Sequence, residues 1–311
     1  MRLQNTTPGL WTITLLLALA SGLAAEQPRS RHVLVIGIDG VRPDALAIAK
    51  TPHLDRLIKE GAFADTTQIL GTRYSKSNTI SGPGRSSILT GVWADKHGVH
   101  DNEFKGKNYK EFPHFFRRFK DQFPDSRTAS FVDWAPIDEH IVSAADLRKR
   151  YPSAKVEDYI RHDKEIAKDA SHHLRHGNPD ATMVYFGAVD ETGHKVGFHP
   201  SVKPYVEMIG VVDGYVGQLL EGIDSRPHRD QEDWLILVTT DHGGKGTGHG
   251  DGHKVPEIRT VFLIVSGAAA KQGKIDKQTY LVDLPVTALI YLGVKIDPAW
   301  KLDGKPVGLK R

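Results

Sequence analysis

The chain has 311 residues, 39% of them hydrophobic, and sets 41 lysines and arginines against 38 aspartates and glutamates for a formal charge of +3. That length and content can bury one sizeable core, and the near balance of charge without a long basic run excludes a nucleic-acid polymer as the expected partner. Cysteine is absent, which removes disulfides, cysteine lipidation and thiolate metal sites and leaves His, Asp and Glu as the available metal ligands.

In chain order, Arg2 precedes an apolar run, LWTITLLLALASGLA (10–24), that ends in small residues before Glu26 and Gln27. The run is short for a membrane span and has no basic residue directly after it. Residues 1–25 are therefore expected to be a secretory signal, cleaved after Ala24 or Ala25, leaving a single secreted or periplasmic domain over 26–311 with no stable membrane insertion; an uncleaved membrane anchor is the rival reading. Five apolar runs rich in β-branched residues read as buried strands: HVLVIGI (32–38), TASFV (128–132), TMVYFGAV (182–189), WLILVTT (234–240) and RTVFLIVS (259–266). Helical patterns lie among and after them: TPHLDRLIKEGA (51–62), EDYIRHDKEIAKDASHHL (157–174), VEMIGVVDGYVGQLLEGI (206–223) and LVDLPVTALIYLG (281–293). This alternation predicts an α/β fold, a mostly parallel central sheet with helices on both faces.

Asp39 follows the first of these strands, Asp190 the third and Asp241 the fourth. Open α/β sheets bind ligands beyond the carboxyl ends of their strands, so the three aspartates should converge on one rim. One strand-end aspartate is as often a cap as a site residue; three, each with glycine or histidine close behind, are a stronger signal. DETGH (190–194) spaces Asp190 and His194 four apart, on one side of a helical turn, DHGG (241–244) sets His242 beside Asp241, and GTGHGDGH brings His249 and His253. With sixteen histidines in the chain, isolated ones are ordinary. His140, His172, His173 and His176 are read as surface or core residues, and His253, beside Lys254, as solvent-facing. Carboxylate and imidazole without thiolate suit Zn²⁺ or Mn²⁺ better than Ca²⁺. Asp39, Asp190, His194, Asp241, His242 and His249 are too many ligands for one tetrahedral ion and suit two ions that each keep open positions.

SGPGRSSILTG (81–91), followed by HGVHDN (97–102), offers several hydroxyls and does not say by itself which one reacts. The ordered set IDGVRPD, SGPGRSSILTG with HGVHDN, VDETGH, and DHGG with GHG resembles the alkaline phosphatase superfamily, and within it the type I phosphodiesterase/nucleotide pyrophosphatase branch. The resemblance runs from about residue 32 to LDGKP near residue 303. It implies an alkaline phosphatase-like catalytic domain that hydrolyses small-molecule phosphodiesters through a phosphoseryl intermediate, using two divalent ions, zinc being the expected metal. Carried over position by position, it puts the nucleophile at Ser81 and the family's asparagine at Asn102. One ion falls to Asp39, Asp241 and His242, the other to Asp190, His194 and His249.

Pro83 suits the first position of a helix, which would make Gly82 the cap and Ser81 the residue just outside it. A helix N-terminus offers free N–H groups to a phosphate oxygen, and metal contact brings the serine alkoxide within reach near neutral pH. Ser86, Ser87 and Thr90 fall inside the helix. Asn102 and the Gly82 N–H are expected to hold a charged substrate oxygen, and Arg85 either braces the helix or touches a non-bridging oxygen. The spacing from Ser81 to Arg85 is also that of the sulfatase signature, in which the first residue becomes formylglycine. Sulfatases typically open with paired aspartates and carry Asp-Asn where this chain has Asp241-His242; here Gly40 follows Asp39. Phosphodiester hydrolysis is the favoured reading, with sulfate-ester or phosphomonoester hydrolysis as alternatives and non-catalytic metal binding as a third. Loops 65–80 and 103–126 would read the leaving group, and Tyr74, Phe104, Tyr109 and Phe115 within them are read as buried aromatics ahead of stacking platforms.

Overall fold

In the computed structural model, which describes residues 30–71 and 76–310, the run SRHVLVIGI forms the central strand β1 (Ser30–Ile38). The expected signal segment and Tyr74 lie outside the described residues. Onto β1 build β2 (Ala62–Gln68), β3 (Thr128–Val132), β4 (Leu147–Arg150), β5 (Ala181–Phe186), β6 (Glu232–Thr239), β7 (Thr260–Ser266) and β8 (Gly273–Lys274). They form one sheet in the order β4-β3-β5-β1-β6-β7-β2-β8. β7 pairs antiparallel with both neighbours and every other pairing is parallel, the mostly parallel sheet the sequence predicts.

The helices are α1 (Pro43–Leu46), α2 (Pro52–Glu60), α3 (Ser81–Thr90), α4 (Ala94–His97), α5 (Phe115–Gln122), α6 (Val156–His176), α7 (Ala188–Val196), α8 (Lys203–Asp224), α9 (Pro256–Arg259) and α10 (Asp283–Tyr291). β1 shows why both faces of the sheet are covered. Val33 and Val35 enter a core with Leu89 of α3, Phe116 of α5 and Leu284 of α10. Leu34, Ile36 and Ile38 enter the opposite core, with Leu54 of α2, Ile166 of α6 and Val212 of α8. A strand apolar on both sides needs a helical layer on each. Among the described residues, no helix is long and apolar enough to cross a membrane.

Three strands escape the sequence pattern. β2, AFADTTQ, mixes polar and apolar residues, and β8 has two residues. β4, LRKR, is an edge strand whose Arg148 and Lys149 pair with Asp138 and Asp169, a charged edge of the kind that discourages pairing with other chains. The expected strand TMVYFGAV stops at Phe186. Both carboxylate oxygens of Asp163, on α6, accept the next amides, from Gly187 and Ala188, at 3.1 Å each. An acidic group at a helix N-terminus favours the helical turn, so Asp190 sits in the first turn of α7 instead of at the strand end. The helix expected over 51–62 ends at Glu60, because Ala62 already begins β2.

The reversal of β7 bears on the site. A parallel partner for β6 would need a crossover that carries the chain to the far end of the sheet. Instead the chain between β6 and β7 turns back, and only the short α9 interrupts it. The DHGG and GHG segments therefore stay at the rim.

Candidate active site

β5, β1 and β6 are neighbours, so the residues after their carboxyl ends meet: Asp39 directly after β1, Asp241 just after β6, and Asp190 on α7. All three are buried. Gly40 has φ +66°, and a Cβ there would come within 2.5 Å of Asp190 Oδ1. Glycine is thus required both by the turn and by the approach of Asp190. A second aspartate at this position, as in the sulfatase pair, would displace Asp190.

Each imidazole of the set is turned by a carbonyl. His242 Nδ1 lies 2.9 Å from Gly243 O, His249 Nδ1 3.1 Å from Thr79 O, and His194 Nδ1 2.8 Å from Thr247 O. A carbonyl only accepts, so each Nδ1 carries the proton, and each ring in its neutral form would present a bare Nε2, the arrangement that orients metal-ligating histidines. Nε2 of His194 and His249 are 3.0 Å apart, two lone pairs facing each other. Without a cation, a proton on His194 relieves this: its hydrogen bond to Asp190 pushes its pKa up to about 9, while burial and the nearby His242 lower His249 to about 4. A divalent ion held by these residues would take the place of that proton.

The donor spacings fit metal ions. Ligands about 2.0–2.2 Å from one tetrahedral ion stand roughly 3.3–3.6 Å apart. His242 Nε2 is 3.3 Å from Asp39 Oδ1 and 3.5 Å from Asp241 Oδ2. His194 Nε2 is 3.2 Å from Asp190 Oδ2, and His249 Nε2 is 3.6 Å from Asp190 Oδ1. Asp39 Oδ1, Asp190 Oδ1 and Asp241 Oδ2 are buried without a hydrogen-bond partner, so each has a lone pair for a cation. Donor atoms of Asp39, Asp241 and His242 lie within 4.8 Å of one another, and so do those of Asp190, His242 and His249. His242 and His249 are stacked, ring centroids 3.6 Å apart, so His242 stands between the two sets. His194 reaches the second set from its half-exposed outer side.

Ser81 Oγ is 3.3 Å from Asp39 Oδ2 and 3.3 Å from His242 Nε2. α3 begins two residues earlier than expected: Ile80 is the cap and accepts the Gly84 N–H at 3.2 Å, so Ser81 is the first helical residue. Pro83 falls at the third position, where its missing N–H has no helical partner to lose. Ser86, Ser87 and Thr90 are inside the helix as expected, and their hydroxyls contact Gly82 O, His97 Nε2 and Ser86 O. The Gly82 N–H corrects another expectation. It donates to Asn102 Oδ1 at 2.7 Å, so it orients Asn102 and is not free for a substrate oxygen.

Arg85 also lies elsewhere than a substrate contact requires. It is fully buried, its Nη2 is 2.7 Å from Asp241 Oδ1 and 3.6 Å from Asp39 Oδ2, and its guanidinium stacks 4.5 Å from the Tyr185 ring. Tyr185 in turn donates its hydroxyl hydrogen bond to Asp39 Oδ2. Burial alone would raise the Asp39 carboxyl, but Arg85, His242 and Tyr185 hold it below the usual range. Burial raises Asp241 in spite of Arg85, and the charge of Asp39 adds to the rise. Tyr185 has no sequence signal beyond a polar tip within an apolar strand, and the carbonyls of Thr79 and Thr247 that turn His249 and His194 have none. His253 faces inward, its Nε2 2.7 Å from Ser77 O.

The four histidines read as surface or core residues stand apart from the site: His140 packs on Phe104, His172 on His176 and His173 on Phe131. Phe104 and Phe115 are buried in the core, and the Tyr109 hydroxyl is 2.7 Å from Ser86 Oγ.

The chain is similar to several known proteins. A bovine (Bos taurus) relative, bis(5'-adenosyl)-triphosphatase ENPP4, is 25% identical over 261 residues, 74% of this chain and 52% of its own length. The chain thus spans about half the length of that relative. Among solved structures, a 2-O GAG sulfatase superposes with a TM-score of 0.69 at 14% identity, covering 89% of this chain and 73% of that one. Inactive murine ectonucleotide pyrophosphatase/phosphodiesterase 5 in complex with AMP superposes at 0.62 and 16% identity, covering 86% and 96%. The family model for type I phosphodiesterase / nucleotide pyrophosphatase matches residues 33–265, from β1 to β7, and the chain belongs to this family.

Proposed function

We propose that the chain is a secreted or periplasmic phosphodiesterase acting on small-molecule phosphate esters, with Ser81 as nucleophile. The observation that carries this is Ser81 Oγ at 3.3 Å from both Asp39 and His242, beside two sets of bare carboxylate and imidazole donors. Asp39, Asp241 and His242 would hold one divalent ion and Asp190, His194 and His249 the other, zinc being the metal best suited to this donor set. When bound, the ions polarise phosphoryl oxygens and make the serine alkoxide accessible near neutral pH.

Ser81 gives up its proton to solvent water and attacks phosphorus in line; the Oγ–P bond forms as the bond to the leaving oxygen breaks, and that oxygen takes a proton from water. Water then cleaves the Oγ–P bond, which restores the Ser81 hydroxyl and releases a phosphomonoester. Asn102, its Oδ1 held by the Gly82 N–H, keeps its amide hydrogens for a non-bridging oxygen. Arg85 and Tyr185 fix Asp39 and Asp241 from the buried side. The ENPP4 relative and the AMP-bound structure make nucleotide phosphodiesters and pyrophosphates the first substrates to try.

Sulfate-ester hydrolysis through formylglycine at residue 81 is the second reading, favoured by the superposition on a sulfatase. The crowding at Gly40 and the imidazole at residue 242 support phosphoryl transfer over it. The deciding experiment is a panel of chromogenic phosphodiesters, phosphomonoesters and sulfate esters, with metal content measured on the same sample. Diesters should turn over fastest and chelator should abolish the activity. Chelator-resistant turnover of sulfate esters alone would overturn the proposal.

A further inference from the structure

The residues just before Ser81 are tied to residues 249–253 by a run of hydrogen bonds. Ser77 O accepts from His253 Nε2 at 2.7 Å. Asn78 Oδ1 accepts from the Asp251 amide at 2.8 Å, while the Asn78 amide donates to His100 O at 3.0 Å. Thr79, which is buried, makes three contacts with the same loop. Its hydroxyl donates to His249 O at 2.5 Å and accepts the Gly252 amide at 2.8 Å, and its carbonyl accepts from His249 Nδ1 at 3.1 Å. One residue therefore grips His249 at both its carbonyl and its ring. The next residue, Ile80, caps the helix that begins at Ser81. Asp251 has φ +51°, a left-handed conformation that few side chains adopt, and its amide is held by Asn78.

We infer that Thr79 is a positioning residue that makes the nucleophile segment and the His249 loop one unit, so that the aim of the His249 ring and the place of Ser81 are set together. The inference rests on the proposed roles of Ser81 and His249. The hydroxyl is the replaceable part. Valine keeps the shape of threonine but leaves the Gly252 amide and the His249 carbonyl without their partner. A loop loosened there no longer fixes which way His249 Nε2 points, and losing such an orienting partner typically costs about 10–100-fold in metal affinity.

The test compares the full-length wild type with Thr79→Val and Thr79→Ser. Zinc release to a chelator is measured alongside amide hydrogen exchange at Asp251 and Gly252 in the metal-free protein. Thr79→Val should release one of its ions about tenfold or more faster and hold the other as wild type does. Its Gly252 amide should lose protection, and Thr79→Ser should restore both properties. Wild-type zinc retention and wild-type exchange in Thr79→Val would overturn the inference, as would a Thr79→Ser variant as defective as valine. If the wild type binds no zinc, the metal-site reading falls by itself. Gly252 exchange then decides the clasp alone, lost protection in valine supporting it and unchanged protection overturning it. If Thr79→Val does not fold, His253→Ala removes a single bond of the same clasp. Faster exchange at Asp251 and Gly252 in that variant supports the inference and wild-type exchange overturns it.

Discussion

Arg85 Nη2 lies 2.7 Å from Asp241 Oδ1, with neither side chain exposed to solvent. Asp39 and Asp241 are buried close together, and Arg85 is the cation that answers both. Breaking a buried ion pair by removing one partner typically costs about 3–5 kcal/mol, because the other charge stays buried and unanswered. Arg85→Met should therefore be destabilised by about that much in urea unfolding with chelator present. Added zinc should restore part of the loss by supplying positive charge to the same carboxylates. A methionine variant as stable as wild type without metal would mean that the two carboxylates are compensated in some other way.

Ser81→Ala should lower turnover by several powers of ten, on the scale seen when other covalent nucleophiles are removed. Ser81→Thr should keep part of the activity, since its hydroxyl can occupy the same place beside Asp39 and His242. Peptide mass spectrometry should find an unmodified serine in the resting protein and, after acid quenching of turnover on a diester, Ser81 carrying the substrate's phosphoryl group with its retained ester. An aldehyde at residue 81 would move the chain to the sulfatase mechanism.

His249 is buried and His194 is half exposed, yet both reach Asp190. His249→Ala should lose one ion of the pair by elemental analysis and nearly all activity. His194→Ala should bind its ion more weakly without losing it altogether, because water can fill a ligand position at the exposed side. Equal ion content in wild type and His249→Ala would remove His249 from the ligand set.

The central strands, the long helices and the aspartates that follow β1 and β6 were legible in the sequence because each rests on a local pattern. HVLVIGI is apolar without interruption, DETGH carries its own helical spacing, and Asp-His adjacency at 241–242 is visible as such. What escaped depends on partners distant in sequence. TMVYFGAV cannot show that its strand stops at Phe186, because the carboxylate that caps the next helix is Asp163, on another element. Pro83 suggested a later helix start, but the first turn closes on Ile80 through a backbone bond that has no side-chain signature. The sequence leaves Arg85 between a structural brace and a substrate contact, and only the approach of Asp241 puts it beneath the site; His253 reads as exposed because its partner, Ser77, is far away in the chain.

Asp133 and Asp163 form a buried acid pair behind α7. Neither is exposed, and neither oxygen of Asp133 has a hydrogen-bond donor facing it. Burial and the adjacent Asp163 push the Asp133 carboxyl well up. Burial likewise raises Asp163, although the adjacent Asp133 and the amides of Ala188 and Gly187 pull against it. Both acids therefore bind protons more tightly in the folded chain than in the unfolded one. The stability this provides is complete below the unfolded carboxylate value near about pH 4, and it is lost as pH rises through the folded values. Asp133→Asn removes one acid and offers an amide N–H to Asp163, which can then stay charged as the cap of α7. At pH 8 the variant should be more stable than wild type by on the order of 1–2 kcal/mol, the worth of one to two pKa units. The difference should shrink toward pH 4. Urea midpoints measured across that range at fixed metal concentration check both statements, and a variant less stable at pH 8, or a gap that widens on acidification, would show that the pair holds no raised proton.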